Sequence, residues 1–351
     1  MTFQQIWWVW LFVTTLPLLL LPIPTLTEVV KSVSECDQFL LGQTPPHVPG
    51  ILEGGRILDQ NRYKLICQTY NNKPRFVTLY DVSNKIPVFS AYKYVGEKDR
   101  KRPKSKWKIE PQLENENLGK NMMTKEKNQI YMQQGVDTDY RSNGTFDRGH
   151  IFPSSYGSTT EDKKSTFTLT NVVPQAESFN KGSWNRMERC TKCVMEKYCT
   201  NSSGAPEGFG LTGSQPSFNN TLNNRINIPS TLWSAFCCYS TITRTWIASA
   251  HWGDNVPDGS RKKHLETKTL AELQNRLWAA DSEFQVFPGA KCPLSTTVTK
   301  FYPDIPNCDC PLFIPPTPTV SFSGCSSVTS ISTFIVLCTP LFIYLYYCMF
   351  I

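Results

Sequence analysis

The chain has 351 residues, of which 40% are hydrophobic, 19% charged and 12% aromatic, and its 36 Lys and Arg residues against 29 Asp and Glu residues give a net charge of +7. This composition excludes an intrinsically disordered or a fibrous protein. The length is typical of about two domains, but the two ends have to be set aside first because neither has the composition of a globular domain.

The amino-terminal end predicts a secretory signal peptide over residues 1–27. Residues 6–21 contain no charged residue, and a stretch with Pro and Thr follows before the first acid, Glu28. An apolar run of this kind is typical of a signal peptide, and it is shorter than the ~20 residues that a spanning helix needs. The first five residues lack Lys and Arg, so an uncleaved membrane anchor is the alternative.

Short segments rich in β-branched and aromatic residues predict strands. Residues 75–81 (RFVTLYD) and 86–94 (IPVFSAYKY) are separated by four residues, which predicts a β-hairpin. Further strands are predicted at 165–173, 232–240 and 245–252, where apolar and β-branched residues recur between turn signals. A sheet is therefore expected.

Two helices are predicted. The first runs from Asn180 to about Cys199, where apolar residues recur at helical intervals. In the second, Thr269 and Glu272 form a capping box ahead of leucines at helical spacing, so this helix should continue to about Leu277. Strands and helices together predict a single α+β domain over residues 36–300.

The carboxyl-terminal end predicts a membrane attachment. Residues 331–351 contain no charged residue and follow small residues at 323–326. This is the pattern of a GPI-attachment signal, although the spacer is shorter than the ~8–12 residues expected. The alternative is a transmembrane helix, which usually has flanking Lys or Arg. Residues 301–330, rich in Pro and Ser, predict a stiff stalk. The protein is thus expected in the secretory pathway, outside the cell or at its surface.

Cysteines and glycosylation motifs agree with secretion. Ten of the 13 cysteines lie within residues 36–310, and an even number in an oxidising compartment predicts disulfides, whose pairing the sequence does not fix. Cys190 and Cys193 form a CxxC, which leaves zinc as an alternative, although no second pair follows at finger spacing. N-glycosylation motifs begin at Asn143, Asn201 and Asn219.

Four consecutive residues, Asp147, Arg148, Gly149 and His150, form the first candidate site. A histidine can accept a proton from water, and an arginine can hold a phosphate with its planar fork. A glycine lets the backbone approach a ligand, and an aspartate can fix the imidazole or a neighbouring strand. A bare tetrapeptide of this kind is also typical of a surface loop with mixed charges.

A second segment, residues 170–189, is unusually rich in amide side chains beside a predicted buried strand. Asn171, Gln175 and Asn180 are costly to bury without partners, so they should meet one another, water or a ligand.

On the predicted helix, Asn180, Trp184 and Glu188 are spaced i, i+4 and i+8, which places them within about 80° on one face. An amide oxygen and a carboxylate on one side suit Mg²⁺, which keeps several waters and needs few protein donors. The alternative is a helix cap at Asn180 with a solvated Glu188.

The string DRGH, followed by TLTNVVPQAESFNKGSWNRME, closely resembles the DNA/RNA non-specific endonuclease family, and the resemblance covers most of residues 36–295. It implies the ββα-metal fold, with a central antiparallel sheet flanked by helices. It also implies Mg²⁺-dependent hydrolysis of phosphodiester bonds in DNA and/or RNA without sequence specificity.

The resemblance also implies roles for single residues. His150 would be the general base, and Asn180 would be the lone protein ligand of Mg²⁺ or another divalent cation such as Mn²⁺. Glu188 would hold a metal-bound water. Arg148 would contact phosphate, Asp147 belongs to the same catalytic set, and Asn171 and Gln175 would orient the substrate or the histidine.

Seven of the eleven residues 98–108 are basic, with Trp107 among them, which predicts a groove edge that follows phosphates. Arg102, Lys104 and Lys106 are the candidate contacts. The family uses an arginine in this region, and which residue takes its place stays open; a lysine would lose bidentate contact. A solvated basic loop or a heparin-like patch is the alternative.

No segment predicts a recognition helix or zinc finger, so sequence selectivity is not expected, and binding through backbone phosphates should weaken steeply with salt. A second class of function stays open: a surface glycoprotein that binds nucleic acid or another polyanion without cutting it. A glycan on Asn143, four residues before Asp147, would crowd the cleft.

Overall fold

The computed structural model describes residues 28–141, 144–278 and 283–311. The predicted signal peptide, the glycosylation motif at Asn143, residues 312–330 of the predicted stalk and the hydrophobic segment 331–351 lie outside the described residues. In the described ranges, no helix combines the length and the apolar character needed to cross a bilayer.

A seven-stranded antiparallel sheet forms the centre of the fold. The strands of the described residues are β1 Val29–Val30, β2 Leu52–Glu53, β3 Arg56–Ile57, β4 Tyr63–Tyr70, β5 Lys73–Asp81, β6 Ile86–Tyr94, β7 Lys108–Ile109, β8 Met123–Thr124, β9 Phe146–His150, β10 Val172–Ala176, β11 Gly208–Gln215, β12 Thr221–Leu222, β13 Ile226–Asn227, β14 Thr231–Ser240 and β15 Thr245–Asp254. The order of strands in the large sheet is β1-β4-β5-β6-β11-β14-β15, and a separate pair, β9 and β10, lies outside it.

Helices flank this sheet. The α-helical segments are α1 Pro111–Glu114, α2 Thr160–Ser165, α3 Glu177–Phe179, α4 Asn185–Tyr198 and α5 Leu270–Leu277, and a turn of π geometry, Asn180–Trp184, joins α3 to α4. We call the continuous segment 177–198 the site helix. Short 3-10 turns lie at Val33–Glu35, Asp37–Phe39, Leu41–Gln43, Asp137–Tyr140, Ser154–Tyr156, Leu169–Asn171 and Thr299–Asp304. The predicted α+β class is therefore confirmed.

A hydrophobic core packs on each face of the large sheet, and successive residues of a strand contribute to opposite cores because their side chains alternate. Val77 and Ala91 pack on one face with the leucines of α5. Their neighbours Phe76 and Tyr92 face the other way, against the site helix. The predicted hairpin is the antiparallel pair β5 and β6, and the strands predicted at 232–240 and 245–252 are β14 and β15. The capping box of Thr269 and Glu272 begins α5 as predicted.

The strand predicted at 165–173 is wrong over most of its length. Residue 165 ends α2, Leu169–Asn171 is a 3-10 turn, and the strand is Val172–Ala176. The alternating threonines have the pattern of a strand, but their hydroxyls form hydrogen bonds with a buried side chain. Thr168 and Thr170 both donate to the buried carboxylate of Glu110, so this segment satisfies a buried acid instead of extending a strand.

Five disulfides pair the ten cysteines of the described residues, as their even number predicted. Cys190 and Cys193 of the site helix are joined to Cys310 and Cys308, so the CxxC is not a zinc site. The other bridges are Cys36–Cys67, Cys199–Cys238 and Cys237–Cys292.

The packed unit extends beyond residues 36–300 at both ends. Val29–Val30 pairs with β4 at one end. At the other end, Phe301 and Tyr302 are buried, and the Phe301 ring stacks on Tyr198 of the site helix at 4.4 Å between centroids. Residues 301–311 therefore belong to the folded domain rather than to a stalk, because the aromatic packing and two disulfides hold them there.

Candidate active site

The candidate residues lie on two strands and the helix that follows them. β9 and β10 pair antiparallel, with His150 opposite Val172 and Asp147 opposite Gln175. β10 then leads directly into the site helix. The tetrapeptide 147–150 and the amide-rich segment are therefore adjacent in space, as their chemistry requires.

A cleft of about 430 Å³ opens where these elements meet. Its wall contains most of the residues singled out from the sequence, together with others. It is lined by Glu97, Arg100, Arg102, Trp107, Asp147, Arg148, His150, Pro153, Ser154, Ser155, Lys163, Asn180, Lys181, Asn185 and Glu188.

His150 is held in a largely apolar setting that keeps it neutral. Its ring lies 5.3 Å from the Trp107 ring and 5.0 Å from the Phe167 ring, centroid to centroid. Burial lowers the pKa of His150 to about 3, and the nearby Arg102 guanidinium adds to this effect. The Nε2 atom is buried and has no hydrogen-bond partner among the described residues. A neutral imidazole with a free ring nitrogen can accept a proton at physiological pH.

Asp147 orients Asn180. The Asn180 Nδ2 atom donates to Asp147 Oδ2 at 2.9 Å, and the Lys181 ammonium lies 3.5 Å from the same oxygen. With its nitrogen committed, the amide of Asn180 has its Oδ1 atom turned away from Asp147 and suited to a cation. The sequence suggested the imidazole or a neighbouring strand as the partner of Asp147, whereas its side chain contacts the helix.

Glu188 also lines the cleft, on the site helix. Burial raises the pKa of its carboxyl to about 8, and the Trp184 indole and the Arg102 guanidinium offset this only in part. The backbone is fixed by Tyr156, whose hydroxyl donates to the Glu188 carbonyl oxygen at 2.8 Å. A carboxyl that titrates near neutrality ionises readily when a cation approaches.

The i, i+4, i+8 stripe predicted for the helix is broken. Asn180 and Glu188 line the cleft, but Trp184 is buried in the core beneath them. The reason is the π turn Asn180–Trp184, in which Gly182 has φ −103° and ψ −112°. Such a turn shifts the phase of the residues that follow it, so Asn185 rather than Trp184 reaches the cleft.

Arg148 is fixed from three sides. Its guanidinium lies over the rings of Trp107 and Tyr140, 5.5 Å from each centroid, and pairs with Asp137 at 2.6 Å. The side chain still lines the cleft. It therefore presents a rigid positive charge to a ligand, with part of its hydrogen bonding already used by Asp137.

The basic segment contributes arginines rather than lysines to the cleft. Arg100 and Arg102 line it, whereas Lys104 and Lys106 are exposed and do not belong to its wall. The Arg102 guanidinium also lies 5.4 Å from the Phe167 ring centroid, beside His150. Bidentate phosphate contact, which only a guanidinium makes, is thus available here, and contact of Lys104 and Lys106 with phosphates at a groove edge outside the cleft stays a prediction.

Asn171 and Gln175 are fully buried and do not line the cleft, so contact with the substrate is corrected, whereas the other role predicted for them, orientation of the histidine, stays a prediction. The Asn171 side chain accepts from the Phe152 N–H at 2.9 Å and donates to the carbonyls of Phe152 and Thr166, both at 3.1 Å. Its role is to fix the chain just after His150.

Gln175 is fully buried behind β9. A Cβ on Gly149 would fall well inside van der Waals contact of the Gln175 side chain. Gly149 therefore leaves room for the Gln175 side chain against β9.

Several lining residues were not singled out from the sequence. Asn185 and Lys181 lie on the predicted helix beside Asn180, so their position was a usable signal. Glu97, Ser154 and Lys163 come from segments with no motif, and only the folded chain brings them to the cleft.

Two antiparallel strands followed by a helix, with histidine on the first strand and asparagine and glutamate on the helix, define the ββα-metal class of nuclease fold. A family model described as DNA/RNA non-specific endonuclease matches residues 56–267. The chain belongs to this family, as its motifs predicted.

The names of two similar proteins agree with this family assignment. The chain is 30% identical over 214 residues to the endonuclease domain-containing 1 protein of Homo sapiens, an alignment that covers 58% of this chain and 39% of the relative. The Mus musculus protein of that name is 27% identical over 210 residues, covering 58% and 38%. The chain thus spans well under half the length of these relatives.

Two further matches are more distant. A protein named nuclease from Nostoc sp. is 32% identical over 94 residues, covering 26% of this chain and 31% of the relative. Among solved structures, the EndoG/EndoGI complex matches with a TM-score of 0.42 and 17% identity, covering 58% of this chain and 81% of that chain.

Proposed function

We propose that the protein is a divalent-cation-dependent endonuclease that hydrolyses phosphodiester bonds of DNA and/or RNA without sequence specificity. The observation that carries the proposal is the placement of a neutral His150, an oriented Asn180, Glu188 and two arginines on the wall of one cleft. Family membership supports the nuclease class.

In this proposal, His150 accepts a proton from the water that attacks phosphorus. Arg148 and Arg102 stabilise charge that develops on the non-bridging phosphate oxygens, an effect that grows in a partly desolvated cleft. Trp107 and Phe167 hold the imidazole in place and exclude water from one side of it.

The residues present fit a hydrated cation such as Mg²⁺ or Mn²⁺. Asn180 offers an amide oxygen, and Glu188 offers a carboxylate that can accept hydrogen bonds from the ion's water. In the described part of the chain, no group of three or more His, Cys, Asp or Glu side chains could form a metal site, so the ion would keep most of its water. When bound, it would supply Lewis-acid stabilisation of the leaving oxygen.

The cleft contacts suit the phosphate backbone, which is common to all sequences. Its guanidinium and ammonium groups are donors that proteins use for phosphate oxygens. The disulfides are typical of an oxidising compartment, so we place this activity in the secretory pathway or outside the cell, as the predicted signal peptide suggests. Attachment to a membrane through residues 331–351 remains a prediction.

The test is nicking of supercoiled plasmid and cleavage of single-stranded RNA by the purified protein, with Mg²⁺ and with EDTA. We expect cleavage with Mg²⁺, none with EDTA, and a loss of at least about a hundredfold in His150→Ala, the usual scale for losing a general base. His264→Ala is the control, since His264 lies outside the cleft. Wild-type rates in His150→Ala would contradict the assignment, and binding without cleavage by the unmutated protein would favour the polyanion-binding glycoprotein instead.

A further inference from the structure

One part of the cleft wall has no role in the proposed hydrolysis. Glu97, Arg100, Ser154 and Lys163 line the cleft. They come from the segment after β6, from the turn that follows β9, and from α2. None of them belongs to the set formed by His150, Asn180 and Glu188.

Lys163 is a buried cation in this part of the wall. Its side chain is only 2% exposed, and its ammonium pairs with the Glu97 carboxylate. Lys192 of the site helix donates to the other oxygen of Glu97 at 2.5 Å. Burial raises the pKa of Glu97, but the hydrogen bonds from the two lysines outweigh burial and hold the pKa below its usual value. One carboxylate is therefore shared by two ammonium groups.

This pairing leaves an excess of positive charge. Lys163 and Lys192 share the carboxylate of Glu97, and Arg100 lines the same cleft. The neighbouring Asp99 adds a second carboxylate, which accepts from the Thr160 backbone N–H at 2.6 Å and from the Thr160 hydroxyl at 2.8 Å. Three cations are thus balanced by two carboxylates, and an excess of positive charge in a cleft favours binding of an anion.

The hydroxyl of Ser154 is an independent sign of a ligand. Ser154 is 5% exposed and lines the cleft, and its Oγ atom has no hydrogen-bond partner among the described residues. A buried hydroxyl without a partner costs free energy. A hydroxyl, an ammonium and a guanidinium together are the donors that proteins use for backbone phosphates.

We propose that Arg100, Ser154 and Lys163 form a subsite for a second, non-scissile phosphate of the nucleic acid, and that Glu97 competes with this phosphate for Lys163 and Lys192. The inference rests on the proposed function, because it assumes that the scissile phosphate lies beside His150. The cleft volume of about 430 Å³ falls within the range of small-molecule sites, so a nucleotide with two phosphates can enter.

The experiment compares deoxythymidine 3′,5′-bisphosphate with the 3′- and 5′-monophosphates by isothermal titration calorimetry in a Mg²⁺ buffer. None of the three contains an internucleotide bond, so binding is measured without cleavage. We expect the bisphosphate to bind at least about tenfold more tightly than the better monophosphate, the scale of one charge-assisted hydrogen-bonded contact. The monophosphate that binds more tightly shows whether the cleft prefers a 3′-phosphate or a 5′-phosphate.

Substitutions in the subsite test whether its residues cause the tighter binding of the bisphosphate. Lys163→Met should reduce the ratio of dissociation constants to about twofold or less, Ser154→Ala should reduce it to an intermediate value, and Glu97→Gln should increase it. Lys98→Met is the matched control, because Lys98 is exposed on the same segment and does not line the cleft; its ratio should equal that of the unmutated protein.

Equal binding of bisphosphate and monophosphate by the unmutated protein would overturn the subsite, and so would an unchanged ratio in Ser154→Ala and Glu97→Gln. These two variants decide the matter if Lys163→Met does not fold. Plasmid nicking is measured separately: His150-dependent cleavage without the binding preference refutes only the subsite, and the preference without cleavage refutes only the proposed function.

Discussion

The hydrogen bond from Asn180 to Asp147 allows a quantitative test of the cation site. Asp147→Asn removes the negative charge that accepts from Asn180 Nδ2 at 2.9 Å. A hydrogen bond to a charged group contributes about 1.5–3 kcal/mol, and the Asp147 side chain is 27% exposed, which favours the lower end. An Asn at position 147 offers an N–H donor as well as an oxygen acceptor, so the amide of Asn180 can pair with it in either orientation and its oxygen is no longer held toward the cation.

Loss of a partner that orients a metal ligand usually costs about 10–100-fold in metal affinity. We therefore expect the Mg²⁺ concentration for half-maximal cleavage to rise about tenfold in Asp147→Asn, with most of the rate recovered at saturating Mg²⁺. The assay is a titration of initial plasmid-nicking rates against Mg²⁺. Lys181→Met is the control, because Lys181 lies 3.5 Å from the same carboxylate, and its replacement leaves the hydrogen bond from Asn180 to Asp147 intact. An unchanged Mg²⁺ curve in Asp147→Asn would refute the reasoning.

Three further predictions follow from burial, packing and cross-linking. Since burial raises the pKa of Glu188 to about 8, its carboxyl is protonated below that pH without a cation, so Mg²⁺ affinity should rise between pH 6 and 8; in Glu188→Gln, titration calorimetry should show no such rise. Gly149→Ala would place a Cβ against Gln175 and should cost about 1–3 kcal/mol in unfolding free energy; the cost should shrink when combined with Gln175→Ala, as measured by urea denaturation. Replacing Cys190, Cys193, Cys308 and Cys310 together by Ser opens a loop that spans 115–120 residues and should lower the free energy of unfolding by about 2–4 kcal/mol; equal midpoints of urea denaturation would contradict this.

Regular patterns predicted the frame of the fold well. The hairpin of β5 and β6 and the capped helix α5 depend on local alternation and on a capping box, which short segments of sequence contain. The pattern failed at residues 165–173, because there the threonine hydroxyls bind the buried Glu110. The spacing alone could not reveal a partner 58 residues away.

The candidate site was predictable where a motif covered it. His150, Asn180 and Glu188 come from two strings of sequence, and the structure places all three in one cleft. The phase shift at Trp184 was not predictable, since a π turn depends on how the helix packs. Lys163 gave no signal either, because its burial beside Glu97 arises only when α2 docks on the segment after β6.

The two bridges between the site helix and residues 308–310 also determine how a mechanical load would travel. The chain leaves the described domain near residue 311, just after Cys308 and Cys310 are bonded to Cys193 and Cys190. A force applied to the chain beyond that point would be transmitted to the site helix through the two disulfides, and it would not first detach the 3-10 turn Thr299–Asp304 from the core. Glu188 lies on that same helix, two residues before Cys190, so the cleft wall and the point where the load acts are joined by a short covalently cross-linked segment.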